Sequence, residues 1–145
     1  MIETYFFWAL PVLLGALLTS VITRKHKEKE RFNFACDTFQ SAFDDELATL
    51  KNPSLENPVD IYTLLVNAFD KHRIAVEKFR LFLKRRRRRK FCQAWRNYYA
   101  YDDTGEEATD FLLKYSPGWG NKLPSECRKL AIANIEKLLE FAKHK

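Results

Sequence analysis

The sequence predicts an all-α chain: one N-terminal transmembrane helix, then a cytoplasmic bundle of about four helices with a long helical hairpin at its centre. Three observations predict it. Residues 4–23 are a run of twenty without a charge, enough at about 1.5 Å rise per residue to cross roughly 30 Å of hydrocarbon as a helix. Beyond that run, apolar residues recur at steps of three and four in segment after segment, the signature of amphipathic helices. No stretch of period two and no internal repeat competes with that pattern.

The first element, the anchor at residues 1–23, is bounded by Glu3 and by Arg24, Lys25, His26 and Lys27. Tyr5, Phe6, Phe7 and Trp8 gather in its first turns, as aromatic belts do at a membrane interface. A cleaved signal peptide wants a basic start and a small-residue cleavage site, and Met1-Ile2-Glu3 and Val21-Ile22-Thr23 supply neither. The positive flank lies C-terminal, which places the N-terminus outside the cell's inner membrane and residues 24–145 in the cytoplasm. Gly15, Ala16, Thr19, Ser20 and Thr23 are small or hydroxylated, the residue types that let membrane helices pack closely or line a wet path.

The second helix is expected at about 24–51, with Phe32, Cys36, Phe39, Phe43, Leu47 and Leu50 as its stripe. Asn52-Pro53 and Asn57-Pro58 punctuate a loop, after which Asn57 caps a third helix at 58–83. Its stripe is Ile61, Leu65, Ala68, His72, Ala75, Phe79 and Phe82. The short loop makes the two an antiparallel hairpin, which returns the chain toward the level of residues 24–31. A fourth helix is expected at 88–101, carrying Phe91, Trp95, Tyr98 and Tyr99. A last one is expected at 125–143, capped by Ser125, with Cys127, Leu130, Asn134, Ile135, Leu138 and Ala142 on one face. Residues 102–124 are the least regular part.

The chain's net charge is +6, and setting aside Glu3, the one charge in the first 23 residues, leaves about +7 on the remainder. Such a balance favours phosphate-bearing partners: nucleic acid, nucleotide or anionic lipid. The charge concentrates in seven successive cations, Lys84, Arg85, Arg86, Arg87, Arg88, Arg89 and Lys90. Adjacent like charges repel and need counter-charge or solvent, and on a helix seven of them cover every face. One reading is a polybasic patch held to anionic headgroups at about 1 kcal/mol per residue. The other is a nucleic-acid site, with Arg73 and Arg80 adding cations and with Trp95, Arg96 and Tyr99 offering planes for bases to stack on. Both stay open, because Trp95 also fits a core position. The acidic group Asp102, Asp103, Glu106, Glu107 and Asp110 reads as a partner for the arginines.

Cys36, Cys92 and Cys127 are odd in number and widely spaced, fitting neither a disulfide framework nor a zinc site. His26, His72 and His144 have no carboxylate or cysteine at a telling spacing, and His72 on an apolar stripe reads as a core histidine. No catalytic constellation, metal site or cofactor motif emerges, so the chain reads as a non-enzyme.

The order Ala-Phe-x-Lys-His-Arg-x-Ala-Val-x-x-Phe-Arg from Ala68 to Arg80, with Phe-x-x-Ala-Trp-x-x-Tyr from Phe91 to Tyr98, resembles small single-span bacterial membrane proteins. In plan these are similar to the membrane effectors of anti-phage defence, the Hailong-type effector in particular. The resemblance covers most of the chain as architecture and transfers no residue by position. It implies a homo-oligomeric, channel-forming effector whose cytoplasmic domain binds a single-stranded DNA oligomer made by a partner nucleotidyltransferase. The residues alone equally allow a membrane-tethered scaffold or adaptor whose basic run contacts anionic lipid or an acidic protein partner.

Overall fold

The structure is a computed structural model that describes residues 3–53, 60–100 and 111–144, with the side chains of 3–20 left out of the description. Its elements are five α-helices: α1 (Glu3–Ser41), α2 (Asp44–Lys51), α3 (Ile61–Phe79), α4 (Arg85–Tyr99) and α5 (Pro124–Leu139). No strand occurs among the described residues. The membrane part of the expected fold class is corrected: among the described residues no helix is long and apolar enough to cross a membrane. Residues 3–23 do not form a separate span but the start of one 39-residue helix. The described part of that helix is exposed and mostly charged from 24 to 31 and turns apolar only at the stripe begun by Phe32. Gly15, Ala16, Thr19 and Ser20 lie outside the described side chains, and Thr23 is exposed.

The helix expected at 24–51 is two helices. The chain leaves α1 through two i→i+3 bonds, Ala42 N to Phe39 O at 3.3 Å and Phe43 N to Gln40 O at 2.9 Å. This tight turn swings Phe43 into the core, where its ring stacks on His72 at 4.0 Å. Asp44, Asp45 and Glu46 then occupy the first turn of α2, where the positive end of the helix dipole favours acids. Helix α3 starts later than expected. Asp60 is its N-cap, with a carboxylate that accepts from the Thr63 amide; Asn57 and Pro58 lie outside the described residues.

Helix α3 runs antiparallel to α1 and α2. At one end Lys71 and His72 meet Glu46, and at the other Phe79 stacks on Phe39 at 4.6 Å and lies 6.1 Å from Phe32. A 3₁₀ turn at Arg80–Phe82 follows, and Leu83 and Lys84 are extended, so the chain breaks direction where the basic run begins. Helix α4 crosses back with Phe91 edge-on to Phe39 and Phe79, both at 5.5 Å.

Helix α5 begins at Pro124, one residue before the expected cap; the Glu126 carboxylate accepts from the Leu123 amide at 2.8 Å. Lys51 pairs with Glu136 at 2.7 Å and ties α2 to α5. The C-terminal turn Glu140–Ala142 docks on α1, where Gln40 Nε2 donates to Ala142 O at 2.8 Å and His144 meets Asp37 at 2.6 Å. Buried Phe39, Phe43, Phe79, Phe91, Tyr98 and Tyr115 form one aromatic core, to which α2 adds Leu50 and α5 adds Ala131, Ile135 and Leu138.

Candidate functional site

The basic run forms the first two turns of α4. Its inward side is fixed by the buried residues Phe91, Ala94, Trp95 and Tyr98. At 100° per residue that arc leaves Arg85, Arg89, Gln93 and Arg96 on the opposite, outward side, with Arg86 and Lys90 beside them. Arg85, Arg88, Arg89, Cys92, Gln93 and Arg96 line one shallow depression. From Arg85 to Arg96 the row is about 16 Å long.

The seven cations do not share one role. Arg87 points inward: its Nη2 donates to Phe141 O at 3.0 Å and its guanidinium lies 6.0 Å from the Phe141 ring. It staples α4 to the C-terminal turn. Arg88 donates to Leu83 O at 3.1 Å and Leu81 O at 3.5 Å, capping the turn before the helix. Lys84 is the N-cap residue and supplies no side-chain acceptor to the first-turn amides. Arg85, Arg86, Arg89 and Lys90 are exposed and make no hydrogen bond or ion pair among the described residues.

The other expected binding residues sort differently. Arg73 is bonded to Asp70 at 3.1 Å and Arg80 to Glu77 at 2.6 Å, so both cations are already paired. Trp95 is 8% exposed, stacked between Phe69 at 5.6 Å and Tyr98 at 5.2 Å. It presents no free face to a base. Tyr99 is half-buried, 5.0 Å from Trp95 and 5.7 Å from Phe69. Arg96 is exposed on the outward row. The acidic group expected to pair with the arginines lies outside the described residues.

A second polar cluster, legible only in part from the sequence, is buried. His72 is 0% exposed and Glu46 7%. Glu46 accepts from Lys71 Nζ at 2.9 and 3.0 Å and lies 3.2 Å from His72 Nε2. His72 Nδ1 meets the Tyr98 hydroxyl at 2.9 Å. A neutral imidazole with its proton on Nε2 satisfies both: it donates to the carboxylate and accepts from the phenol. Tyr115 OH donates to Tyr98 O at 2.8 Å and accepts from Asn134 Nδ2 at 2.9 Å. Burial pushes the His72 imidazole below its ordinary range despite the hydrogen bond and charge of Glu46. Burial alone would raise the Glu46 carboxyl, but bonds from Lys71 and His72 outweigh it and hold it low. Burial pushes the Tyr98 phenol well up. The sequence signal for Glu46 was its place between Phe43 and Leu50 on the apolar stripe, three residues after one and four before the other.

Among the described residues no three His, Cys, Asp or Glu side chains group to hold a metal. The buried cluster has its titratable atoms inside the core, whereas the α4 row has its charges in solvent; of the two, the row is the one a large ligand can reach. No protein-family model, no curated protein and no solved structure matches the chain.

Proposed function

We propose that the chain is a polyanion sensor whose α4 row holds the phosphates of a single-stranded nucleic acid through Arg85, Arg89 and Arg96. The observation that carries this reading is that Arg85, Arg89 and Arg96 have no hydrogen-bond or ion-pair partner among the described residues, while the start of the row is electrostatically disfavoured. Arg85 and Arg89 stand four apart with like charge, as do Arg86 and Lys90, each pair costing a few tenths of a kcal/mol. Arg85 and Arg86 also sit in the first turn, at the positive end of the helix dipole, where cations are disfavoured and anions welcome. A phosphate string relieves both penalties at once.

Because Trp95 is in the core, contact is to the backbone of the strand, with little reading of bases. From the resemblance the proposal takes the ligand class, a DNA oligomer supplied by a partner nucleotidyltransferase, and the setting, an oligomeric effector of anti-phage defence. The membrane-spanning part of that plan is not carried forward.

The test is fluorescence anisotropy of a labelled short single-stranded DNA against salt, with wild type and with Arg85, Arg89 and Arg96 all changed to Ala. Single strands lose affinity with a log–log slope of about −0.7 per phosphate neutralised. Removing three contacts therefore flattens the slope by about 2. Salt-insensitive binding, or equal binding by the triple variant, refutes the assignment.

A further inference from the structure

Beside the basic row lies an apolar surface that the nucleic-acid reading leaves unused. The core takes Phe79 and Leu83, at 1% and 3% exposed, and the 3₁₀ turn between them pushes the intervening apolar side chains outward. Leu81 is 67% exposed and Phe82 47%; Phe34 on α1, 73% exposed, stands across the same groove. Buried Ala35, Phe39 and Phe79 floor it, and Thr38 and Lys78 line it. Large apolar side chains scattered singly over a surface are ordinary; three meeting at one groove mark a contact.

Charge says what covers it. Arg31 lies one turn before Phe34 and is exposed, Lys78 is in the groove, and exposed Lys84 comes two residues after Phe82. The Arg88 guanidinium rests on the carbonyls of Leu81 and Leu83. The nearby carboxylates Glu30 and Glu77 are bonded to His26 and Arg80. An apolar prow ringed by cations repels a second copy of itself. It suits a partner that is apolar inside and anionic at its rim.

We infer that Phe34, Leu81 and Phe82 dip into the surface of an anionic bilayer, with Arg31, Lys78 and Lys84 at the headgroups. Apolar side chains at the acyl boundary and basic residues on phosphates are the two terms that hold a peripheral element on a membrane. The contact lies on the surface and crosses nothing. It is independent of the nucleic-acid reading, since it uses none of Arg85, Arg89 and Arg96.

The experiment uses the full chain carrying Cys92→Ser and Leu81→Cys, with an environment-sensitive dye at residue 81 and, as a control, the same dye at Lys137→Cys. Vesicles of pure phosphatidylcholine and of phosphatidylcholine mixed with phosphatidylglycerol, each holding a nitroxide-tailed lipid, are added. The expected result is a blue shift and quenching at residue 81 with the anionic vesicles alone, and neither at residue 137. In a second arm the unlabelled Phe34→Ser/Phe82→Ser variant loses at least tenfold in its preference for anionic over neutral vesicles in sedimentation. Its DNA affinity and circular dichroism stay as in wild type. No change in the dye, equal change at both dye positions, or unaltered preference in the double variant overturns the inference. So does a lipid-free mass that falls in the double variant, which gives the groove to a second copy.

Discussion

Replacing Glu46 by Gln tests the buried cluster at its centre. The change keeps the shape and removes the charge that Lys71 and His72 both donate to, at 2.9 and 3.2 Å. Hydrogen bonds to a charged group contribute about 1.5–3 kcal/mol each. The Lys71 side chain is 42% exposed and regains water when its partner is lost, so its share is discounted. The amide oxygen still offers His72 a neutral acceptor. The net loss is about 2 kcal/mol, which for a chain of this size lowers Tm by roughly 8 °C. The acid limb carries the sharper signature. His72 folds with its pKa depressed below 6.5, so between the two values the unfolded chain binds more protons. Its contribution is full above pH 6.5 and is lost as pH falls to the folded value. Glu46, depressed below 4.5, adds a second loss as pH falls through its own folded value. The groups facing this pair are Lys71 from α3 and Tyr98 from α4, with Tyr115 behind Tyr98. Burial pushes the Tyr98 phenol up, so it stays neutral throughout that range. Urea unfolding followed by circular dichroism at pH 7.5, 6 and 4.5 therefore shows wild type weakening with acid, and Glu46→Gln starting lower and losing more between pH 6 and 4.5, because without the Glu46 charge nothing offsets the burial that depresses the His72 imidazole. A variant as stable as wild type at pH 7.5, or one that loses the same increments with acid, refutes the network.

Three further outcomes follow from the same packing. Arg87→Ala loses the bond to Phe141 O and costs about 1–2 kcal/mol, while Arg86→Ala next to it stays within about 0.5 kcal/mol of wild type; parallel urea curves separate them. Phe39→Ala empties a site 1% exposed and ringed by Phe43, Phe79 and Phe91, so it costs about 3–5 kcal/mol, read as a fall in denaturation midpoint at constant slope. Gly118 has φ +89 with open space where a Cβ would go, so Gly118→Ala costs about 1 kcal/mol of backbone strain alone, seen as a Tm lower by a few degrees.

The helices were legible because burial and periodicity agree along them: Phe32, Cys36 and Phe39 on α1, or Ile61, Leu65 and His72 on α3, are spaced as one face and lie on one face. The breaks were harder. Phe43 continues the stripe of α1 in sequence, yet the helix stops before it because its ring gains more by stacking on His72. Asp44, Asp45 and Glu46 mark a helix start, but inside an unbroken periodic run they read equally well as a solvated face. The start of α3 shows the same degeneracy, since Asn57 before a proline and Asp60 before Thr63 are both good caps and the fold uses Asp60.

In the basic run the sequence lost its contrast altogether. A helix face is recognised by polar residues opposing apolar ones, and seven successive cations oppose nothing. Trp95 could therefore be set against a base or against the core, and only the position of Phe69, 5.6 Å away on another helix, decides for the core. The same neighbour-dependence divides the arginines. Arg87 differs from Arg86 by a single step along the chain, and that step carries it to the Phe141 carbonyl contributed by residues more than fifty positions away. What remains outward, Arg85, Arg89 and Arg96, makes no hydrogen bond or ion pair among the described residues, and the proposed phosphate-bearing ligand is assigned to that row for this reason.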